Sequence, residues 1–333
     1  MIHLVYCIDK NYLEPTLVSA ASAAIWATDA HPQTIHIVID SNPKEALEGF
    51  ISKLKELNSQ YVQVEVHFWE GRQFDCFRKW HGTSIIYARL ELPNILPTVD
   101  HVISLDGDTL WLDDPWKLEQ LFDYRKMMQA SLDPPPPSGG ENPVFKRWFA
   151  KYKLAMEPKQ YLCVGLTLLN LKLMRDCSFS ERAIEFLREY PDPEYPEQIV
   201  LSYLTQGLNA PLPSPWGVFS VCHKNVDLGQ PALVHYVQDP PWKREKITRL
   251  FSDVVLLWFD FCRIVLKKDV YRESFKPWTR LWRRGLFLFL KRYPWVCFCT
   301  HLQAHFRNIC GLPEAVRGTI CQRWCALMEA QGK

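Results

Sequence analysis

Residues 101–115 read "HVISLDGDTLWLDDP", and the parsing of this stretch decides the fold. The apolar run from His101 to Leu105 has the make-up of a buried strand, and it delivers two aspartates one residue apart, Asp106 and Asp108. Side chains at i and i+2 of a strand share a face but start about 7 Å apart along it, so a departure from extended geometry between them draws the two carboxylates together onto one ion. Gly107, without a Cβ, supplies that freedom. Two hard oxygen ligands from one tight turn suit Mg2+ or Mn2+, and a nearby imidazole tilts the choice toward Mn2+. Taken by itself, Asp-Gly-Asp reads as readily as a solvated acidic turn. The second acidic pair, Asp113 and Asp114, lies past Trp111–Leu112 and reads as a solvated turn or a helix cap.

Working outward, the chain alternates strand-like and helix-like segments. "IHLVYCID" (2–9) and "TIHIVID" (34–40) are almost unbroken apolar runs that end in aspartate, as central parallel strands do. Between them residues 13–30 carry Ala, Val and Leu at helical spacing. An amphipathic helix is expected over 43–58, and "VQVEVHFW" (62–69) alternates as a third strand. A helix with Arg89 at its centre is expected over 84–96, a strand ending at Asp133 over 126–133, and a strand over the first part of 163–176. Another helix starts near 199, and a short strand ends at His235. The Pro/Gly run "PPPPSGGENP" (134–143) reads as a surface flap. This pattern predicts an α/β, Rossmann-like architecture with a mostly parallel central sheet and flanking helices. In such sheets ligands sit beyond the carboxyl ends of the strands, where these aspartates fall.

The chain has 333 residues, 47% hydrophobic and 13% aromatic, enough for a sizeable core. Its net charge of +2 hides an asymmetry: residues 276–333 hold ten basic and two acidic residues, residues 1–275 hold 29 and 35. A basic tail on a neutral-to-acidic body points to a polyanionic surface. Within it "WTRLWRRGLFLFLKRYPW" (278–295) interleaves cations with Trp, Leu and Phe, the make-up of an interfacial helix on an anionic membrane. A helix packed on the catalytic body is the other reading, and nucleic acid is the least favoured partner. The amino terminus lacks signal-peptide order, so cytoplasmic, reduced thiols are expected for the 11 cysteines. The expected place is peripheral, on the inner face of the cytoplasmic membrane. "CFCTHLQAHFRNIC" (297–310) lacks common zinc spacing and reads as packing.

Several of these segments, in order through residue 245, resemble the family 8 retaining glycosyltransferases of the GT-A fold, nearest to the bacterial lipopolysaccharide galactosyl- and glucosyltransferases. They are "VYCIDKNYLEPTLVSAASA", "AHPQTIHIVID", "YARLELPNILPTVDHVISLDGDTLWLDD" and "LVHYVQDPPWK". The later "ESFKPW" (273–278) is similar to the lipopolysaccharide subgroup. The resemblance implies a UDP-hexose donor contacted by Asp9, Asn11, Tyr12, Arg89, Asp106, Gly165 and Lys243. It implies Asp106, Asp108 and His235 as ligands of Mn2+, with Mg2+ as the other option. Gln198 falls where family members place a residue beneath the anomeric carbon, and Glu197 at a sugar-hydroxyl contact. Asp133 is expected on the acceptor side.

The sequence departs from the family pattern in three places: Gln238 replaces a glycine of the His motif, Cys163 stands where asparagine is common, and Glu197, Gln198 and Ile199 stand for Asp-Gln-Asp. Cys163 itself reads as a buried thiol. The expected function is retaining transfer of glucose or galactose to a saccharide, lipopolysaccharide core or another lipid-linked glycan. Same-face attack by the acceptor hydroxyl is favoured over Glu197 as a nucleophile. The alternatives are a transferase acting on a protein or soluble glycan, and a degenerate member that binds nucleotide-sugar or scaffolds without turnover. The expected division is a catalytic domain over 1–245 and a basic, aromatic helical region over 246–333.

Overall fold

The structure, a computed structural model, describes residues 1–58, 60–133, 142, 144–213, 215–216, 218–219, 231–237, 240–242, 253–268 and 314–332. Strand β1 (Ile2–Ile8) lies between β2 (Gln33–Ile39) and β4 (His101–Leu105), and β3 (Val62–Phe68) forms the edge. These four pair in parallel. Every residue of β2 is buried, which explains its unbroken apolar run, while edge strand β3 alternates. Beyond β4 the order continues through β7 (Leu162–Asn170), β6 (Met128–Leu132) and β8 (Asn209–Pro211). β7 runs antiparallel to both β4 and β6, so the seven-stranded sheet is mostly parallel with one reversed strand.

Hydrophobic cores cover both faces of this sheet. On one, Ala20, Ala21, Ala23 and Ala24 of the helix Leu13–Ala24 are fully buried, and Leu47, Phe50, Leu54 and Leu57 of Lys44–Asn58 join them. Small residues let the first helix lie close to the strands. It ends at Ala24 rather than near 30, because a turn closed by His31 N–H donating to the Thr28 carbonyl returns the chain to β2. On the other face Phe179, Ala183 and Leu187 of the helix Phe179–Glu189 pack with Ile199, Val200 and Leu201 of Pro196–Leu204.

Residues 84–96 are helical as expected, but as a 3-10 segment, Ile85–Glu91, followed by a single α turn, Leu92–Ile95. Pro93 is the cause: its ring would strike the carbonyl four residues back in a continuous α-helix, so the helix restarts with Pro93 in its first turn. After β7 the chain enters a helix, Leu171–Asp176, capped by the Asn170 side chain.

At the end of β4 the chain leaves the large sheet and enters a second one. That three-stranded sheet has the order β5 (Thr109–Trp111), β10 (Leu233–His235), β9 (Val218–Phe219). Asp106–Gly107–Asp108 is thus the hinge between two sheets. Asp114 caps the helix Pro115–Glu119, its Oδ1 accepting from Trp116 N–H at 2.9 Å, and Asp113 pairs with Lys117. The second acidic pair therefore serves a helix start.

From the carboxyl-terminal part, the helices Asp253–Ile264 and Glu314–Ala330 join the first core through Leu257, Trp258, Phe261, Ile320, Trp324 and Met328. The Phe261 and Trp324 rings meet edge-to-face at 5.1 Å. Among the described residues no helix is long and apolar enough to cross a membrane. Residues 134–141 of the expected flap, Lys243, the 278–295 stretch and the 297–310 Cys/His run lie outside the described residues.

Candidate active site

The carboxyl ends of β1 and β4, the middle of β7 and the end of β10 converge on one acidic cleft. β10 pairs antiparallel with β5 so that His235 faces Thr109, and Tyr236 N–H donates to the Asp108 carbonyl at 2.8 Å. This register brings the imidazole over the hinge. His235 Nε2 lies 3.4 Å from Asp106 Oδ2 and 3.2 Å from Asp108 Oδ1. The approach to Asp108 has ion-pair distance without hydrogen-bond geometry, and Asp108 Oδ1 is a buried oxygen with no hydrogen-bond donor.

Two glycines make this approach possible. Asp106 N–H donates to the Gly165 carbonyl at 2.9 Å, and a Cβ on Gly165 would collide with the His235 ring. A Cβ on Gly107 would collide with Thr16 Oγ1 and press on the Tyr12 ring. Each glycine is required by close packing around the acidic pair.

Arg89 lies beneath Asp106 and is only 3% exposed. Its Nη2 donates to Asp106 Oδ1 at 2.6 Å, its Nε to Ser104 Oγ at 3.2 Å, and its Nη1 stands 3.8 Å from Glu197 Oε1. A buried guanidinium must be paired, and here two carboxylates pair it. Burial pushes the Asp106 carboxyl up, but Arg89 and His235 outweigh burial and hold it well below the usual carboxylate range. Burial opposes charge on His235 too, yet Asp108 and Asp106 raise its pKa well above the ordinary value. Glu197 differs: burial and the nearby Asp106 outweigh Arg89 and raise its carboxyl to about 7.

Glu197 and Gln198 sit in the first turn of the helix Pro196–Leu204. Gln198 Nε2 donates to Asp133 Oδ1 at 3.1 Å, and Asn142 Nδ2 donates to Asp133 Oδ2 at 2.6 Å. Burial raises the Asp133 carboxyl to about 6 despite these bonds. At the end of β1, Asp9 Oδ1 accepts from the backbone N–H groups of Asn11 and Tyr12 at 2.8 and 3.1 Å and closes a 3-10 turn. Tyr12 packs edge-on against Trp242, with ring centroids 6.2 Å apart.

The sequence profile of glycosyl transferase family 8 matches residues 3–246. The chain belongs to that family. It is 23% identical to general stress protein A of Bacillus subtilis (strain 168) over 221 residues, 65% of this chain and 71% of that protein. Its fold is similar to that of galactosyltransferase LgtC solved with donor and acceptor sugar analogues, with TM-score 0.60 and 22% identity, covering 73% of this chain and 90% of that one. An active-site Gln-to-Glu mutant of LgtC gives TM-score 0.63 at 19% identity, covering 78% and 95%. The fold is thus that of the GT-A glycosyltransferases, as the family resemblance implied, on the mostly parallel α/β sheet that the strand pattern predicted.

For this family 8 member the cleft gathers Asp106, Asp108, His235, Gly165, Arg89 and Glu197 around one point, with Tyr12 against Gly107. Gln198 and Asp133 form a bonded pair of their own. Lys243 falls outside the described residues. Three neighbours escaped the sequence reading. The buried Cys163 thiol lies in the field of His235, a relation invisible in sequence because 72 positions separate the two. Cys7, with its thiol pushed up to about 12 by burial, lies in the field of Arg89, Asp106 and Glu197. Asn142 emerges from the Pro/Gly stretch to hold Asp133, and only its Asx character hinted at a structured role.

Proposed function

We propose that this protein is a retaining hexosyltransferase that moves glucose or galactose from a UDP-sugar to a saccharide acceptor. The carrying observation is the meeting of Asp106, Asp108 and His235 at the carboxyl edge of the sheet, with spacings of 3.2 and 3.4 Å. The residues fit a divalent cation: the Asp108 oxygen facing the cleft is buried without a donor, and two carboxylates with one imidazole favour Mn2+ over Mg2+. Bound there, Mn2+ would supply Lewis-acid stabilisation to the departing diphosphate.

The chain's own groups do the remaining work. Arg89 positions Asp106 from below, so the carboxylate is oriented before donor arrives. Asp9, Asn11 and Tyr12 at the end of β1 receive the uridine, with the Tyr12 ring as the stacking surface; Lys243 assists the diphosphate. Gln198 is the group beneath the anomeric carbon, and Asp133 fixes its carboxamide. Glu197 faces Arg89 and titrates near neutrality, which favours a hydroxyl-binding role over that of a free nucleophile. Same-face attack by the acceptor hydroxyl is therefore the favoured course, with Asp133 on the acceptor side. The catalytic unit is 1–245, and the basic stretch of 246–333 meets an anionic membrane carrying a lipid-linked acceptor, which places the protein on the inner face of the cytoplasmic membrane.

One observation favours the degenerate reading: a buried thiol, Cys163, stands beside His235 where the family commonly has asparagine. Incubation with Mn2+ and a panel of UDP-sugars separates the two, with UDP release and protection against thermal unfolding as readouts. UDP release that vanishes in Asp106→Ala supports the enzyme. Protection without release on any acceptor supports the degenerate binder, and neither effect rejects both.

A further inference from the structure

A second constellation of metal-binding groups lies away from the cleft, on the first three strands. The parallel register sets His36 beside Glu65 and Val38 beside His67, so His36, Glu65 and His67 share one face of β2 and β3. His36 Nδ1 is 3.0 Å from His67 Nε2 and 3.3 Å from Glu65 Oε2, and the last two atoms are 3.8 Å apart. A tetrahedral zinc ion with bonds of about 2.0–2.2 Å sets its ligand atoms roughly 3.3–3.5 Å from one another. The three spacings bracket that value, so small side-chain rotations bring the atoms onto one face of a tetrahedron.

We propose that His36, Glu65 and His67 form a zinc-class metal site at the edge of the sheet, distinct from the Asp106–Asp108–His235 centre. The donor sets differ in kind: two imidazoles and one carboxylate suit zinc, whereas the cleft, with two carboxylates and one imidazole, suits a harder ion. His36 has the outer partner that ligating histidines have. Its Nε2 lies 3.0 Å from His3 Nδ1, and a proton donated there leaves the Nδ1 lone pair facing the cluster. His67 then carries its own proton on Nδ1, and the hydrogen shared between the two imidazoles gives way to the ion.

Access fits as well. The His36 side chain is 2% exposed, while those of His67 and Glu65 are 24% and 51% exposed, so the ion enters from solvent and a water completes the fourth position. The ion would tie edge strand β3 to β2.

The test uses the full chain carrying Asp106→Ala and Asp108→Ala, so that the cleft does not contribute. After incubation with zinc chloride and gel filtration, about one equivalent of zinc is expected by atomic emission. Cobalt substitution is expected to give the intense visible absorption of a four-coordinate site. Adding His67→Ala or Glu65→Gln should remove the retained metal, and His3→Ala should weaken binding by about 10–100-fold. Thermal unfolding in chelator checks that each variant still folds; Glu65, exposed on the edge strand, is the substitution least able to disturb it. No retained zinc, or retention unchanged by both ligand substitutions, overturns the proposal.

Discussion

Asp108 Oδ1 is a buried oxygen that faces the His235 imidazole at 3.2 Å without hydrogen-bond geometry, an arrangement that a divalent cation would complete. Asp108→Asn keeps the size and removes the charge. Loss of several kcal/mol of transition-state stabilisation corresponds to a decrease of about 10^2–10^3-fold in UDP release, with the thermal midpoint in chelator lowered because buried His235 loses its charged partner. Glu197 makes a separate prediction through pH. Its carboxyl is raised to about 7 from an ordinary 4.5, so between these values the folded chain binds more protons than the unfolded one. Stability therefore falls as pH rises through that window. Glu197→Gln removes the titration, so in chelator the variant should match the wild type near pH 4.5 and exceed it above pH 7. The difference expected from urea unfolding is on the order of 1–3 kcal/mol. A variant less stable at both pH values would mean that the Arg89 contact outweighs the burial of charge.

At the scale of elements, the site depends on β7 passing so close to β10 that no side chain fits between them. Gly165→Ala places a methyl group in the His235 ring, and the strand cannot yield without disturbing its pairing with β4. Such overpacking costs about 1–3 kcal/mol, and UDP release should fall more than stability does, because His235 is the group displaced. Equal activity in Gly165→Ala would show that the ring is free to move aside. This close approach also marks where sequence reading stops. The strands ending in Asp9, Asp106 and Asp133 were legible because apolar runs with acidic ends are local patterns. Asp106, Asp108 and His235 were grouped through the resemblance to family 8, since no local pattern joins the acidic turn to an imidazole 127 positions after Asp108. Arg89 was visible as the centre of a helix and, through the resemblance, as a donor contact; that it is buried under Asp106 follows from packing between distant segments. The placement of Cys163 beside His235 and the His36–Glu65–His67 cluster depend on register, which periodicity does not specify. The 3-10 form of residues 85–91 was readable in principle, since Pro93 forbids a continuous α-helix there.

At the scale of the molecule, the asymmetry of charge and the packing of the last helix have to be reconciled. Ile320, Trp324 and Met328 of Glu314–Ala330 are buried in the first core, and Arg317 donates to Asp260 at 2.8 Å. That helix spends its apolar side inside the protein, so a membrane-facing surface must come from elsewhere in the basic tail. Residues 278–295 carry Arg280, Arg283, Arg284, Lys291 and Arg292 among Trp, Leu and Phe. Deleting the whole tail would strip the core of Trp324 and confuse unfolding with loss of binding. Replacing Arg283, Arg284, Lys291 and Arg292 by Gln leaves that helix in place. Each cation near an anionic bilayer contributes about 1 kcal/mol, so the four changes together should lower the partition into phosphatidylglycerol vesicles by roughly 10^2–10^3-fold. Sedimentation at low salt measures the loss, and raising the salt should weaken the wild type in the same direction. UDP release in solution should stay at the wild-type level in the variant, since the four changes leave Asp106, Asp108, His235 and Arg89 in place. Undiminished sedimentation of the variant would refute the membrane role and leave the tail as a second layer of packing on the catalytic body.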